Sequence, residues 1–502
     1  MKSPGKERLE MKKDNVTRRS FLRTGASGAA AAGTASLFAA PAPVRARNLN
    51  SNLRVGFIGT GGRGSAHLGI VLQKQQAGED VEAAAVCDVY SVNLQRAADR
   101  IRKTVGTDPR TTGDYRELTA SADVDAIVIA TPDHWHARQT IDVLEAGKHV
   151  YCEKPMTHTI QEAQDVAAAW KTSGKVVQVG VQRTSDGRWK AANQFIREGR
   201  IGKVVQAQTE FYRNSRVGQW RYFRLEREMT PKNIDWKAFL GTEFGLAPDM
   251  PFDRALFRQW RCYWPFSSGP YTDLFVHRLT PMLVALGVRY PRRVVAGGGI
   301  YLEYDGRDVP DTATLVADYD AGLQVLITAT MLNAHTIEQC IRGHYGTILF
   351  DLESDGFEVE PERYQITRSH DFEHKHVEAL LPDNETDAHW ENFLGAIEQD
   401  DPQAANNPPD LGAAAVATVT MAAESYRNGQ VYEWDAAEEK PIPSGPAYAR
   451  MWEEMSQAQS APRHVPGWAP FDADAMFSRQ VPRDEQKLEG RWPDAQTDPA
   501  VE

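Results

Sequence analysis

The chain has 502 residues, more than one hydrophobic core usually organises, so two domains behind a leader are expected. Its 57 Lys and Arg against 68 Asp and Glu give a net charge of −11, with no long basic block after the first 50 residues, which argues against nucleic acid as a partner. The four cysteines, Cys87, Cys152, Cys262 and Cys340, lack the paired CxxC spacing of metal sites and indicate no disulfide framework; Cys87 and Cys152 read as buried thiols in apolar strands.

Residues 1–50 read as targeting material. Thr17-Arg18-Arg19-Ser20-Phe21-Leu22-Arg23 has the form of a twin-arginine leader, followed by an Ala- and Gly-rich core from Gly25 to Ala40 and small residues at Ala40, Ala42 and Ala46 for cleavage. The expectation is an exported, periplasmic protein delivered by the twin-arginine (Tat) export machinery. The alternative is a disordered or membrane-retained N-terminus. No other segment reaches the ~18 apolar residues of a membrane span.

From Leu53 the pattern is strand, glycine-rich turn, helix. The apolar run Leu53 to Ile58 leads into Gly59-Thr60-Gly61-Gly62-Arg63-Gly64, and Ser65 to Gln73 continues as a helix. The first glycine makes the tight turn, the second admits a pyrophosphate to the backbone, and the third lets helix approach strand. The helix N-terminus then faces the phosphates. A second strand, Val81 to Cys87, ends at Asp88, where a ribose-binding carboxylate belongs. Asp88 favours NAD over NADP because it repels a 2′-phosphate; the alternative is a solvated loop carboxylate. The expectation is a dinucleotide-binding domain over 51–175.

Asp125 to Ala130 reads as a buried parallel strand opening into Thr131-Pro132-Asp133-His134-Trp135-His136 at the start of a helix. That loop lies at the carboxyl end of the strand, where cofactors sit. His134 and His136 have HxH spacing without a third ligand nearby, so they read as cofactor contacts or helix caps, and no metal is expected. Strand His149 to Cys152 ends in Glu153-Lys154-Pro155. A lysine there holds an oxygen of the substrate or the ribose with a localised charge; the alternative is a surface salt bridge.

Gly59 to Gly64, Thr131-Pro132 with His136, and above all Glu153-Lys154-Pro155 together resemble the glucose-fructose oxidoreductase, inositol dehydrogenase and rhizopine-catabolism (Gfo/Idh/MocA) family, over Leu53 to about Asp435. The resemblance implies an α/β protein: an N-terminal Rossmann domain and a C-terminal α/β domain with a large open, mostly antiparallel sheet, one face of which often forms a homo-oligomer (dimer or tetramer) interface. It implies NAD as cofactor and a small-molecule carbohydrate as substrate. Glu153, Lys154 and Gln182, the last just after strand Val176 to Val181, then join the cofactor contacts. Arg183 is a weaker candidate or a structural ion pair.

The second half, 176–438, carries strand-like runs at Val204 to Tyr212, Arg293 to Tyr304, Thr312 to Asp318, Leu323 to Met331 and Thr347 to Asp351, with hairpin-type turns expected at Asp305-Gly306 and Asp320-Ala321-Gly322. His374 and His376 read as solvated loop residues. In Ser267 to His277, a helix puts Asp273 and His277 at i, i+4 on one face, where a carboxylate holds an imidazole as general base; a capping Asp with an interior His fits the residues equally. The family's Asp-x-x-x-His motif aligns with this pair, which implies catalysis by Lys154, Asp273 and His277. Two positions depart from the family: Phe275 stands where many members have glycine, and Thr280 where they have aspartate. Trp260, Tyr263, Trp264, Phe266 and Tyr271 serve either as sugar platforms or as core.

The expected reaction is hydride transfer between a carbohydrate carbinol carbon and the nicotinamide. His277 takes the hydroxyl proton, Asp273 orients His277, and Lys154 polarises the reacting oxygen and positions the nicotinamide ribose. Free NAD is not expected outside the cytoplasmic membrane, so an exported enzyme has to hold and regenerate its cofactor. That keeps a redox-neutral NAD-dependent glycosidase or lyase, acting through a transient keto-sugar, as the alternative, although known members of that kind carry Glu-Val where this chain has Glu153-Lys154. A binding or scaffold protein without turnover is a third reading. The tail, 439–502, is Pro-, Trp- and charge-rich, and Trp452, Trp468 and Trp492 suggest that it docks on a surface.

Overall fold

The computed structural model describes residues 52–351, 354–363 and 373–457. The leader motif and Trp468 and Trp492 of the tail lie outside the described residues. The first layer is a six-stranded parallel sheet of β1 (Leu53–Ile58), β2 (Val81–Cys87), β3 (Arg110–Thr112), β4 (Ala126–Ile129), β5 (His149–Glu153) and β6 (Val177–Gly180). Its order, β3-β2-β1-β4-β5-β6, is the doubly wound order of a dinucleotide-binding domain, with the switch point between β1 and β4. These strands are short apolar runs because helices cover both faces. Helices α1 (Gly62–Gln76), α2 (Ser91–Val105), α3 (Asp133–Glu145) and α4 (Ile160–Ser173) alternate with them. Thr159 caps α4 through a reciprocal pair with Glu162.

After α5 (Gly187–Arg197) the chain builds the second sheet. Its strands are β7 (Val204–Asn214), β8 (Arg293–Gly299), β9 (Thr312–Tyr319), β10 (Leu323–Thr330), β11 (Leu332–Asn333), β12 (Cys340–Gly343), β13 (Gly346–Leu349), β14 (Gly356–Pro361), β15 (Lys375–Glu378), β16 (Tyr432–Asp435) and β17 (Lys440–Pro443). The order is β15-β14-β13-β12-β7-β10-β9-β8-β16-β17 with β11 on β7, and every pairing is antiparallel except β7 with β10. β10 alternates buried and half-buried residues along its whole length, the signature of one packed face. Helices α6 (Val276–Leu286) and α8 (Pro409–Asn428) share the core of that face; between them in sequence, α7 (Glu385–Glu398) returns to the Rossmann sheet. There Trp390 and Phe393 join Val55, Phe57 and Tyr151 in one cluster.

Three expectations are corrected. β8 ends at Gly299, not Tyr304, because the Asp311 carboxylate accepts the backbone N–H groups of Tyr301, Leu302 and Glu303 and lifts them out of the ladder. Asp305-Gly306 therefore lies in a long loop, whereas Asp320 to Gly322 is the expected tight connection, with Tyr319 paired to Leu323. His376 belongs to β15, where Glu358 and Asp355 hold its two ring nitrogens at 2.6 and 2.8 Å. All four cysteines are buried and unpaired with one another. No helix among the described residues is long and apolar enough to cross a membrane. Trp452 lies on α9 (Ala447–Gln457) against the Gly322 turn of the same chain.

Candidate active site

A cleft of about 1100 Å³ runs from the carboxyl ends of β1, β2, β4 and β5 to the face where α6 begins. Its first end is the glycine turn. Gly59 has φ +81°, and a Cβ there would lie 2.9 Å from the Ala130 backbone. At Gly64 a Cβ would meet the Gly59 carbonyl oxygen at 1.8 Å, so only glycine lets α1 approach β1. Gly61 and Gly62 line the cleft, and a Cβ on either would meet nothing closer than 3.7 Å. Open backbone at the start of a 15-residue helix with no acidic residue in its first turn suits a pyrophosphate.

Asp88 lines the cleft at the end of β2 and is held by the Thr60 N–H at 2.8 Å, the Thr60 hydroxyl at 3.0 Å and the Tyr90 N–H at 2.8 Å. It therefore fixes the turn that carries the glycines, in addition to facing the cleft. Thr131 and Pro132 line the opposite wall, with the Thr131 hydroxyl donating to Gln139 at 2.8 Å.

The two histidines of this loop do not line the cleft. His134 is buried, with Nε2 at 2.9 Å from the Phe239 carbonyl, and burial lowers its pKa to about 3. His136 is also buried, its Nδ1 2.6 Å from the Pro155 carbonyl and its Nε2 2.9 Å from that of Thr131. Burial opposes the charged ring, but Cys152 first and then the Pro155 and Thr131 carbonyls outweigh it, and the pKa is raised. His136 thus ties the loop at Thr131 to the loop at Pro155. Direct cofactor contact by His134 and His136 is corrected accordingly, because both rings are buried outside the lining of the cleft.

Glu153 is a buried hub. Its Oε1 accepts from Arg63 Nε at 2.7 Å and Gln182 at 3.3 Å and lies 2.7 Å from His67 Nε2, while His67 Nδ1 accepts from Trp390 at 2.8 Å. Burial alone would raise its pKa, but Arg63 and His67 hold it well below the usual carboxylate range. Arg63 accordingly faces Glu153, leaving the phosphate end to backbone. Gln182 lines the cleft beside it.

Lys154, Asp273 and His277 all line the same cleft. Lys154 Nζ donates to the Asp273 carboxylate at 2.6 Å and to its main-chain carbonyl at 2.8 Å, which leaves one of three ammonium donors. Asp273 also accepts from Arg261 at 2.9 Å and from the Trp220 indole at 3.1 Å. Despite burial, Lys154 and Arg261 hold its pKa far below the usual value. No hydrogen bond joins Asp273 to His277 among the described residues, which corrects the expected orienting contact. Residues Pro270–Leu274 form a π-turn, with the Phe275 N–H on the Pro270 carbonyl, so regular i, i+4 stacking is lost before α6 starts at Val276. Asp273 instead locks Lys154 and reaches His277 through its field alone.

His277 is half-buried, neither ring nitrogen has a hydrogen-bond partner among the described residues, and its pKa lies well below the ordinary value, first from burial and then from Lys154. It is a neutral imidazole at neutral pH. Phe275 is wholly buried core, and the Thr280 hydroxyl bonds back to the Val276 carbonyl, so neither reaches the cleft. Of the five expected aromatics only Trp260 lines it; Tyr271 and Phe266 are core. Trp220, Tyr222 and Phe223, on the irregular loop after β7, and Arg261, on the short 3-10 turn Trp260–Cys262, line it as well, and neither segment has a periodicity that signals them. Arg183 lies 3.6 Å from Glu385, the ion-pair alternative.

Residues 53–181 match the family described as "Oxidoreductase family, NAD-binding Rossmann fold". The chain is 30% identical over 250 residues to a Glycosyl hydrolase family 109 protein of Shewanella baltica, covering 46% of this chain and 51% of that protein. It is 30% identical over 245 residues to an Alpha-N-acetylgalactosaminidase of Shewanella oneidensis, covering 42% and 52%. It thus spans about half the length of these curated relatives. Among solved structures, an NAD binding oxidoreductase from Klebsiella pneumoniae superposes with TM-score 0.57 at 22% identity over 76% of this chain and 98% of that one. A levoglucosan dehydrogenase in complex with NADH and levoglucosan gives TM-score 0.55 at 21% identity over 78% and 99%. The glycine turn and the strand order agree with the family match: residues 53–181 form an NAD-binding Rossmann domain similar to that of the Gfo/Idh/MocA oxidoreductases.

Proposed function

We propose that the protein is an NAD-dependent oxidoreductase that removes hydride from a hydroxyl-bearing carbon of a sugar, polyol or glycoside. The observation that carries this reading is that Lys154 and the unpartnered imidazole of His277 line the same cleft as the Gly59–Gly64 turn. When bound, the nicotinamide supplies the hydride acceptor, and the protein supplies position and charge. The remaining ammonium donor of Lys154 polarises the reacting oxygen. His277, neutral, takes the hydroxyl proton as the C–H pair leaves as hydride, so one alcohol becomes one carbonyl. Asp273, Arg261 and Trp220 hold Lys154 in place. The test is sugar-dependent reduction of nicotinamide by the full chain beside Lys154→Met and His277→Asn; equal rates in all three reject the reading.

A redox-neutral glycosidase or lyase shares that first step and is favoured by the two glycosidase relatives. It is separated by release of an aglycone without net accumulation of reduced nicotinamide. Export by the twin-arginine route, retention of NAD on the exported protein, and self-association through the open face of the large sheet belong to the same proposal. Near one nucleotide per chain in protein recovered from an exported fraction supports the retention. A chain that runs as a monomer on sizing rejects self-association.

A further inference from the structure

Beside His277 lies a cluster of guanidinium groups that the proton and hydride transfer does not use. The Phe211 ring is 6.0 Å from the His277 ring, 4.5 Å from the Arg213 guanidinium and 5.1 Å from that of Arg278. Arg183, next to the cleft residue Gln182, acts on Arg278 as a third like charge, and burial with this crowding lowers the Arg278 pKa to about 10. Two carboxylates face the group: Glu210 stands 3.7 Å from Arg278 and Glu385 3.6 Å from Arg183, both beyond hydrogen-bond length. Arg213, which lines the cleft, has no ion pair among the described residues. Three buried guanidinium nitrogens, Nε and Nη1 of Arg278 and Nη1 of Arg183, have no partner among the described residues.

Buried guanidinium N–H groups without acceptors are costly, and three cations against two loosely placed carboxylates leave local positive charge in a chain of net charge −11. A planar anion with two acceptor oxygens fits such forks, as carboxylate and phosphate do. We propose that the substrate is an acidic carbohydrate whose carboxylate or phosphate is held by Arg213 at the cleft wall, with Arg278 and Arg183 behind it, while its reacting hydroxyl meets Lys154 and His277. This assignment rests on the oxidoreductase reading of the same cleft and narrows it to a substrate class.

The test is titration calorimetry of the NAD-loaded full chain with gluco, galacto and manno sets, each comprising the hexose, its hexuronate and its 6-phosphate. At least one acid is expected to bind about tenfold or more tightly than its parent hexose, the margin of a charge-assisted contact. Preference for the hexuronate identifies a carboxylate, and preference for the 6-phosphate a phosphate. Arg213→Gln, at an exposed position that folding tolerates, should erase the preference, and Arg278→Gln should do the same where it folds. Hexoses binding as tightly as every acid, no acid binding, or a preference unchanged in Arg213→Gln overturns the proposal. Nicotinamide absorbance in the same samples separates the two claims. Reduction by neutral hexoses without acid preference removes the anion site alone, and acid preference without reduction by any sugar removes the redox reading alone.

Discussion

Lys154 and His277 share the cleft in complementary roles, a lysine ion-paired with Asp273 and an imidazole whose pKa burial lowers. Lys154→Met removes the charge that polarises the reacting oxygen while leaving Asp273 paired with Arg261. The expected loss is about 10²- to 10⁴-fold in kcat/KM, with NAD released on denaturation unchanged per chain. Loss of NAD together with activity would make Lys154 a cofactor anchor and nothing more. For His277 the neutral ring is the active form in oxidation, and its pKa is lowered from 6.5. Activity therefore stays level as pH falls through 6.5 and declines only further into the acid range. A pH profile of kcat/KM whose acid limb sits at or above 6.5 would contradict His277 as the base. Asp273 was legible as a reactive carboxylate, yet its partner was not. Lys154 is 119 positions away, and only the fold brings them together.

At the level of elements, α1 shapes the nucleotide end of the cleft, and α7 completes the core of the parallel sheet. Gly64→Ala places a Cβ where the Gly59 carbonyl oxygen lies, so α1 has to retreat from β1. NAD retention per purified chain is expected to fall at least about tenfold while the protein still folds; full retention would show that the turn adapts. Trp390 on α7 is wholly buried, stacks on Tyr151 at 5.1 Å and donates to His67, whose other nitrogen reaches Glu153. Trp390→Ala should cost about 3–5 kcal/mol in urea unfolding of the full chain. A cost under about 1 kcal/mol would mean that α7 is not part of the Rossmann core. Much of the first sheet was readable because parallel strands are uninterrupted apolar runs between turn glycines: β1 and β2 fall at their expected bounds. The second sheet was less so. β8 is cut short by the Asp311 side chain twelve residues past its end, and the π-turn at 270–274 breaks the helical spacing that paired Asp273 with His277.

Across the whole molecule, a negatively charged chain holds a cleft with a backbone-lined nucleotide end, a Lys154–His277 centre and an arginine cluster beyond it. The two large layers meet at that cleft: the end of β5 brings Lys154, the turn before α6 brings Asp273, and the first turn of α6 brings His277. Hydride transfer from a sugar to protein-held NAD is what this assembly supports best, whether the net outcome is oxidation or glycoside cleavage. The most direct measurement mixes the full chain, purified with its own nucleotide and given none, with the acidic-sugar panel and follows nicotinamide absorbance in a stopped-flow instrument. Reduction of up to one nucleotide per chain by at least one member is expected, and its loss in His277→Asn. An unchanged spectrum with every sugar, or the same reduction in His277→Asn, would contradict it.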